Sequence, residues 1–212
     1  MRKNVTLLLV VLLGFVLAGC HCDRDEENPA GPGGGSNTGD TTRPTMVTPY
    51  QYQSEMSSIN EAYSETASCP WGFVHLGIDF FPRGDLAGFR AASAGIISRV
   101  EKFHNSGNGL WQVNLDLTIN SKYRLGYAFE PFSSLEAQAD TQLMNIMVNV
   151  GQTVAQGQAL GRLLARGGGA HVHFSLYRNG TNVCPESYFT PEARDSILAL
   201  LHRSYPGAFL CY

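Results

Sequence analysis

Trp111, Val113, Leu115, Leu117 and Ile119 alternate with polar residues, and this period of two is what most restricts the fold. It describes a strand with one face in a core and the other towards water, as antiparallel sheets have. Residues 94–100 form a second β-type run, and Asn105-Ser106-Gly107-Asn108-Gly109 supplies the turn between the two. Asn120-Ser121-Lys122 turns the chain into a third run over residues 123–129. Residues 150–161 hold two glycine turns around very short strands, and Asn179-Gly180 is a two-residue hairpin signal. The expected fold is therefore mainly β, a small antiparallel sheet or meander. Thr190 as N-cap, Pro191 at the first helical position and the stripe Ile197, Leu200, Leu201 predict a C-terminal helix to about residue 203. The segment 130–149 is longer than a hairpin needs and reads as an insertion with a short helix around 137–146. The spacing of Tyr50, Met56, Ile59 and Tyr63 suggests a further helix from about Ser54.

The N-terminal residues have a different character. Arg2 and Lys3 precede an apolar stretch over residues 6–17 that ends in Leu17-Ala18-Gly19-Cys20. Such a stretch reads as a secretory signal peptide, too short for a membrane span of about 20 residues. Its ending resembles the bacterial lipobox, which implies cleavage before Cys20, lipid on that cysteine, and a chain anchored to a membrane. With His21 next and not Asp, the expected location is the outer membrane, facing the periplasm. Residues 20–45 are rich in Asp, Glu, Pro, Gly, Ser and Thr and read as a linker. Residues 46–69 form an entry segment, and 70–212 the folded domain. Loss of residues 1–19 removes two positive charges and moves the net charge from −3 to −5. With no basic run, nucleic acid is not the expected partner. Export permits disulfides, and once Cys20 carries lipid, Cys22, Cys69, Cys184 and Cys211 remain. Cys184 with Cys211 is the preferred pair, since both flank the C-terminal segment.

Two fragments carry chemistry. Gly168-Gly169-Ala170-His171-Val172-His173-Phe174 sends two histidines into a strand one residue apart, so that His171 and His173 face one way and Val172 and Phe174 the other. His75-Leu76-Gly77-Ile78-Asp79 puts a histidine and a carboxylate on one face of an extended segment, with Gly77 between them leaving room for an ion. On the opposite face lie Val74, Leu76, Ile78 and Phe80. Four metal-competent side chains thus sit on strands of one predicted sheet. Three N/O ligands with an open fourth position are the arrangement of a catalytic zinc site, whereas a closed structural site more often recruits cysteines.

These fragments, together with Ala91-Ala92-Ser93-Ala94-Gly95 and Gly151-Gln152-Thr153-Val154-Ala155-Gln156-Gly157-Gln158-Ala159-Leu160-Gly161, come in an order and spacing that resembles the lysostaphin/LytM-type zinc endopeptidases over residues 70–190. The resemblance implies a small antiparallel sheet with a narrow groove and hydrolysis of peptide cross-bridges in bacterial peptidoglycan. It implies that His75, Asp79 and His173 hold Zn²⁺, and that His171 stands beside the metal as general base or transition-state stabiliser. One departure stands out. The family's second non-ligand histidine, in a Tyr-x-His-Leu segment, aligns with Phe129 in Tyr127-Ala128-Phe129-Glu130. Phe129 cannot donate to an oxyanion, a loss that implies weak activity, and Glu130, as the next residue on the strand, is expected to face away. Two alternatives to the enzyme stay open: a non-catalytic LytM-like lipoprotein that binds peptidoglycan or regulates a hydrolase, and an envelope lipoprotein in which zinc serves stability alone.

Overall fold

In the computed structural model the described residues are 40–212; the signal segment, Cys20, Cys22 and most of the expected linker lie outside them. Ten strands and two α-helices occur among these residues. They are β1 (Met56–Ile59), β2 (Ile78–Pro82), β3 (Leu86–Arg90), β4 (Gly95–Asn105), β5 (Leu110–Thr118), β6 (Tyr123–Ser133), α1 (Glu136–Leu143), β7 (Thr153–Val154), β8 (Ala159–Leu164), β9 (His171–Arg178), β10 (Thr181–Asn182) and α2 (Pro191–Ser204). Eight strands form one antiparallel sheet in the order β1-β2-β9-β6-β5-β4-β7, with β10 paired to β9, while β3 and β8 make a separate pair. The fold is thus mainly β, with the C-terminal helix in place.

Alternation decides which face is which. Val113, Leu115 and Leu117 of β5, Tyr123, Leu125, Tyr127 and Phe129 of β6, and Val172, Phe174 and Leu176 of β9 are all buried on one side of the sheet. That side is covered by the β3–β8 pair, by α2 through Ile197, Leu200 and Leu201, and by the N-terminal segment through Met46, Tyr50, Met56 and Ile59. Aromatic edges close the core: Phe89 meets Phe129 at 5.7 Å between ring centroids and Tyr127 meets Phe174 at 5.2 Å. The buried Tyr127 hydroxyl accepts from Ala92 N and donates to the Arg90 carbonyl, so its polar end costs little. The opposite face carries Gln112, Asn114 and Asp116 from β5, Gly126, Ala128 and Glu130 from β6, and His173, Ser175 and Tyr177 from β9 around a cavity of about 340 Å³.

The local signals have visible causes. Asn179 and Gly180 both take positive φ, 52° and 80°, in the turn between β9 and β10. Thr190 caps α2 by accepting from the Ala193 amide at 3.2 Å. The expected helix from Ser54 is absent: a 3₁₀ turn over Gln53–Glu55 leads into β1. The reason is an irregularity in the β1–β2 pairing between Met56 and Ser58, which buries both Met56 and Ile59 and so imitates the i, i+3 spacing of a helix. Val74 and Leu76 are exposed, because regular pairing with β9 begins only at Ile78. Cys184 and Cys211 are joined in a disulfide, with Cα atoms 6.0 Å apart. Cys69 is free. No helix among the described residues is long and apolar enough to cross a membrane.

Candidate metal centre

Three donor atoms meet where β2 and β9 pair. Asp79 lies directly opposite His173 in the register, and its Oδ1 is 2.7 Å from His173 Nδ1. His75, in the bend before β2, is held by an isolated bridge to Ser64; its Nε2 is 3.1 Å from His173 Nδ1 and 3.2 Å from Asp79 Oδ2. The two rings stand edge to face, 87° apart. Gly77 makes this possible in an unexpected way. A Cβ at Gly77 would run into the His173 ring, so the space it leaves holds that imidazole and not an ion.

The far nitrogen of each ring is already engaged. His75 Nδ1 lies 3.0 Å from the Ala62 carbonyl, which only accepts, so Nδ1 carries the hydrogen. His173 Nε2 is 2.9 Å from Ser175 Oγ, whose own hydroxyl donates to the Leu76 carbonyl. In the neutral rings His75 Nε2 and His173 Nδ1 are therefore lone pairs, aimed at each other and at a carboxylate. Three acceptors with no hydrogen among them call for a cation. Zinc with bonds of about 2.0–2.1 Å would separate tetrahedral donors by roughly 3.3 Å, close to the spacings observed. His75, Asp79 and His173 together could hold a metal ion, and their donor chemistry fits zinc.

Asp79 is only 6% exposed. Burial alone would raise its pKa, but in the metal-free protein His173 and His75, which donate to it only when those rings are protonated, and the nearby His171 outweigh it and hold the carboxyl well below the usual range. For His75, burial pulls the pKa down, and the Asp79 carboxylate more than offsets this. His171 is not in the trio. Its Nδ1 is 2.7 Å from the Gly169 carbonyl, its ring stacks on Phe81 at 5.1 Å, and its Nε2 is 3.6 Å from both Asp79 Oδ2 and Glu130 Oε1. Burial disfavours the charged ring, yet the Glu130 and Asp79 carboxylates raise its pKa to about 9 in the metal-free protein.

The expectation for Phe129 needs correction. Phe129 pairs opposite Val172 and is fully buried against Phe89, on the core side of β6, so its side chain does not face the site; the β6 residues that do, Gly126, Ala128 and Glu130, include no histidine. The side chain on the site face is Glu130, opposite His171, where the sequence reading had it facing away. The signal was present in Tyr123-Arg124-Leu125-Gly126-Tyr127-Ala128-Phe129-Glu130, whose apolar members fall on one side. Sequence reasoning also missed Ser175, Phe81 and Glu61. Burial raises the Glu61 carboxyl's pKa, and the charge of Asp79 raises it further. His104 pairs with Trp111 on β4–β5, 4.9 Å between rings, and does not line the cavity.

No family model matches the chain, and no curated protein does. Among solved structures it is similar to a zinc-containing peptidase from Vibrio cholerae at 22% identity and a TM-score of 0.48, covering 66% of this chain and 39% of that one. It is also similar to Helicobacter pylori Csd3 in its orthorhombic crystal, at 21% identity and a TM-score of 0.49, covering 80% and 43%. Lysostaphin in solution is similar at 23% identity and a TM-score of 0.44, covering 68% and 56%. The chain thus spans about two fifths of the length of the first two. What the site can do is set by its own donor atoms.

Proposed function

We propose that this chain is a zinc-dependent endopeptidase that hydrolyses peptide cross-links of bacterial peptidoglycan, working from a lipid anchor at Cys20 in the cell envelope, on the periplasmic side of the outer membrane. The observation that carries the reading is the convergence of His75 Nε2, His173 Nδ1 and the Asp79 carboxylate beside a fourth polar side chain, His171, at one end of an open polar cavity. The anchor and the location rest on the lipobox-like ending at Leu17-Ala18-Gly19-Cys20.

In this mechanism His75, Asp79 and His173 hold the ion. Zinc, when bound, polarises the scissile carbonyl and makes a water nucleophilic near neutral pH. The Ala62 carbonyl and Ser175 hydroxyl keep the two imidazoles turned with the correct nitrogens inward. His171, neutral and protonated only at Nδ1 once the ion's charge offsets that of Asp79, takes a proton at Nε2 from the attacking water and hands it to the leaving amine nitrogen as the C–N bond breaks; its Nδ1 stays on Gly169. The groove lined by Gln112, Asn114 and Tyr177 offers hydrogen bonds along an extended peptide, and Gly126 and Ala128 keep its floor low.

The full chain and its H171A variant, each assayed for bound zinc and incubated with purified peptidoglycan, test this. Both should carry one zinc per chain, and only the unaltered protein should release peptide fragments, with a drop of about 100-fold or more in the variant. Bound zinc without fragments from either protein would remove the enzyme reading in favour of a non-catalytic peptidoglycan-binding module. Radiolabelled palmitate that still marks a Cys20→Ala variant would remove the anchor.

A further inference from the structure

We infer that Glu130 is a positioning residue for His171, holding the imidazole with Nε2 towards the open side of the metal centre. The inference rests on the peptidase reading for its catalytic consequence and on geometry for the rest. β6 and β9 place Glu130 directly opposite His171, and Glu130 Oε1 stands 3.6 Å from His171 Nε2 with both side chains less than one-fifth exposed. The other edges of the ring are already fixed. Gly169 holds Nδ1 through its carbonyl, and Phe81 lies against the ring plane at 28°. On the Nε2 edge stand two carboxylates, and Asp79 is committed to His75 and His173. Glu130 makes no other ion pair among the described residues, so its charge is directed at that edge alone. It also borders the same cavity as His173, which places the held nitrogen beside any peptide lying there.

A histidine fixed on one edge and one face can still tilt about its Cβ–Cγ bond; since the Gly169 carbonyl already takes the Nδ1 hydrogen, the Glu130 carboxylate attracts the ring from the remaining edge when Nε2 carries the proton it has taken. Glu130 therefore acts through His171 and not on the ion. Its oxygen lies outside the group of donor atoms that face the metal position.

The test compares the full chain with Glu130→Ala and Glu130→Gln, all zinc-loaded, with imidazole nitrogens observed by long-range ¹H–¹⁵N NMR and His171 assigned from the spectrum of H171A. The expected result is one zinc per chain throughout, His171 ring signals shifted or broadened in both variants, and His75 and His173 signals in place. Cleavage should fall about 10–100-fold, mainly in kcat with KM within about threefold. Unchanged His171 signals would overturn the inference, as would loss of zinc in Glu130→Ala, which would make Glu130 a ligand. If the unaltered protein cleaves no peptidoglycan, the peptidase reading falls, and the NMR comparison still decides what Glu130 does to His171.

Discussion

At the level of single residues, the site depends on what is missing at Gly77 as much as on its ligands. Its Cβ position is occupied by the His173 ring and by the Phe174 carbonyl, so Gly77→Ala must push either the imidazole or the β9 backbone. We expect this substitution to weaken zinc binding at least tenfold in a chelator competition, and to lower stability by about 1–3 kcal/mol in urea. Zinc affinity equal to that of the unaltered protein would show that the ring has room to spare. Period-two alternation made it legible in the sequence that His171 and His173 share a face, as do His75 and Asp79, while the choice of His173 over His171 as candidate ligand came only with the resemblance to the lysostaphin/LytM-type enzymes. The use of Gly77 was not legible, since the ring that fills its space arrives from a residue 96 positions later in the chain. Phe129 and Glu130 teach a related lesson. Aligning one short motif put Phe129 at the site, while the alternation of the whole of β6 puts it in the core.

Among the elements, β4, β5, β6, β9 and α2 followed from local signals, β3 went unread, and the error before β2 came where pairing breaks. The 3₁₀ turn and β1 replaced a helix because the irregularity between Met56 and Ser58 turns two apolar residues to one side, which no local propensity announces. The C-terminal segment shows how a distant link works on an element. α2 lies between Cys184 and Cys211, 27 residues apart, and its buried face of Ile197, Leu200 and Leu201 joins the main core. Closing a loop of that length restricts the unfolded chain by roughly 3–4 kcal/mol. A Cys184→Ser, Cys211→Ser double variant should lose stability on that order in equilibrium urea denaturation, with the zinc content unchanged. A loss below about 1 kcal/mol would mean that burial of α2 already sets the segment's order.

For the molecule as a whole, the candidate metal centre lies outside the buried apolar core. The buried cluster runs from Met46 to Leu210 and includes none of the three candidate ligands. Chelation should accordingly leave a cooperative thermal transition, and zinc at about a thousandfold over its Kd should raise the midpoint by roughly 10 °C, from about 4 kcal/mol of linkage. Calorimetry with and without chelator measures both. A chain that melts non-cooperatively once zinc is removed would instead be one that uses the ion to fold.

The way residues 43–51 are laced into that core has a mechanical side. Arg43 reaches Ser187, Met46 N donates to Tyr188 O at 2.7 Å, and Thr190 N donates to Met46 O at 2.8 Å. Val47 donates to Ala92, Arg90 to Pro49, and Gln51 to Gly88. A pull on the chain from its N-terminal side therefore meets fasteners to segments 86–92 and 187–190 and to Gln156, whose side chain donates to the Thr45 carbonyl, before any tension reaches β1. Load is shared between them, and β2 and β9, which carry Asp79 and His173, lie further along the path. Held from that side, as the proposed anchor at Cys20 would hold it, the chain would take strain at this collar before its candidate metal centre.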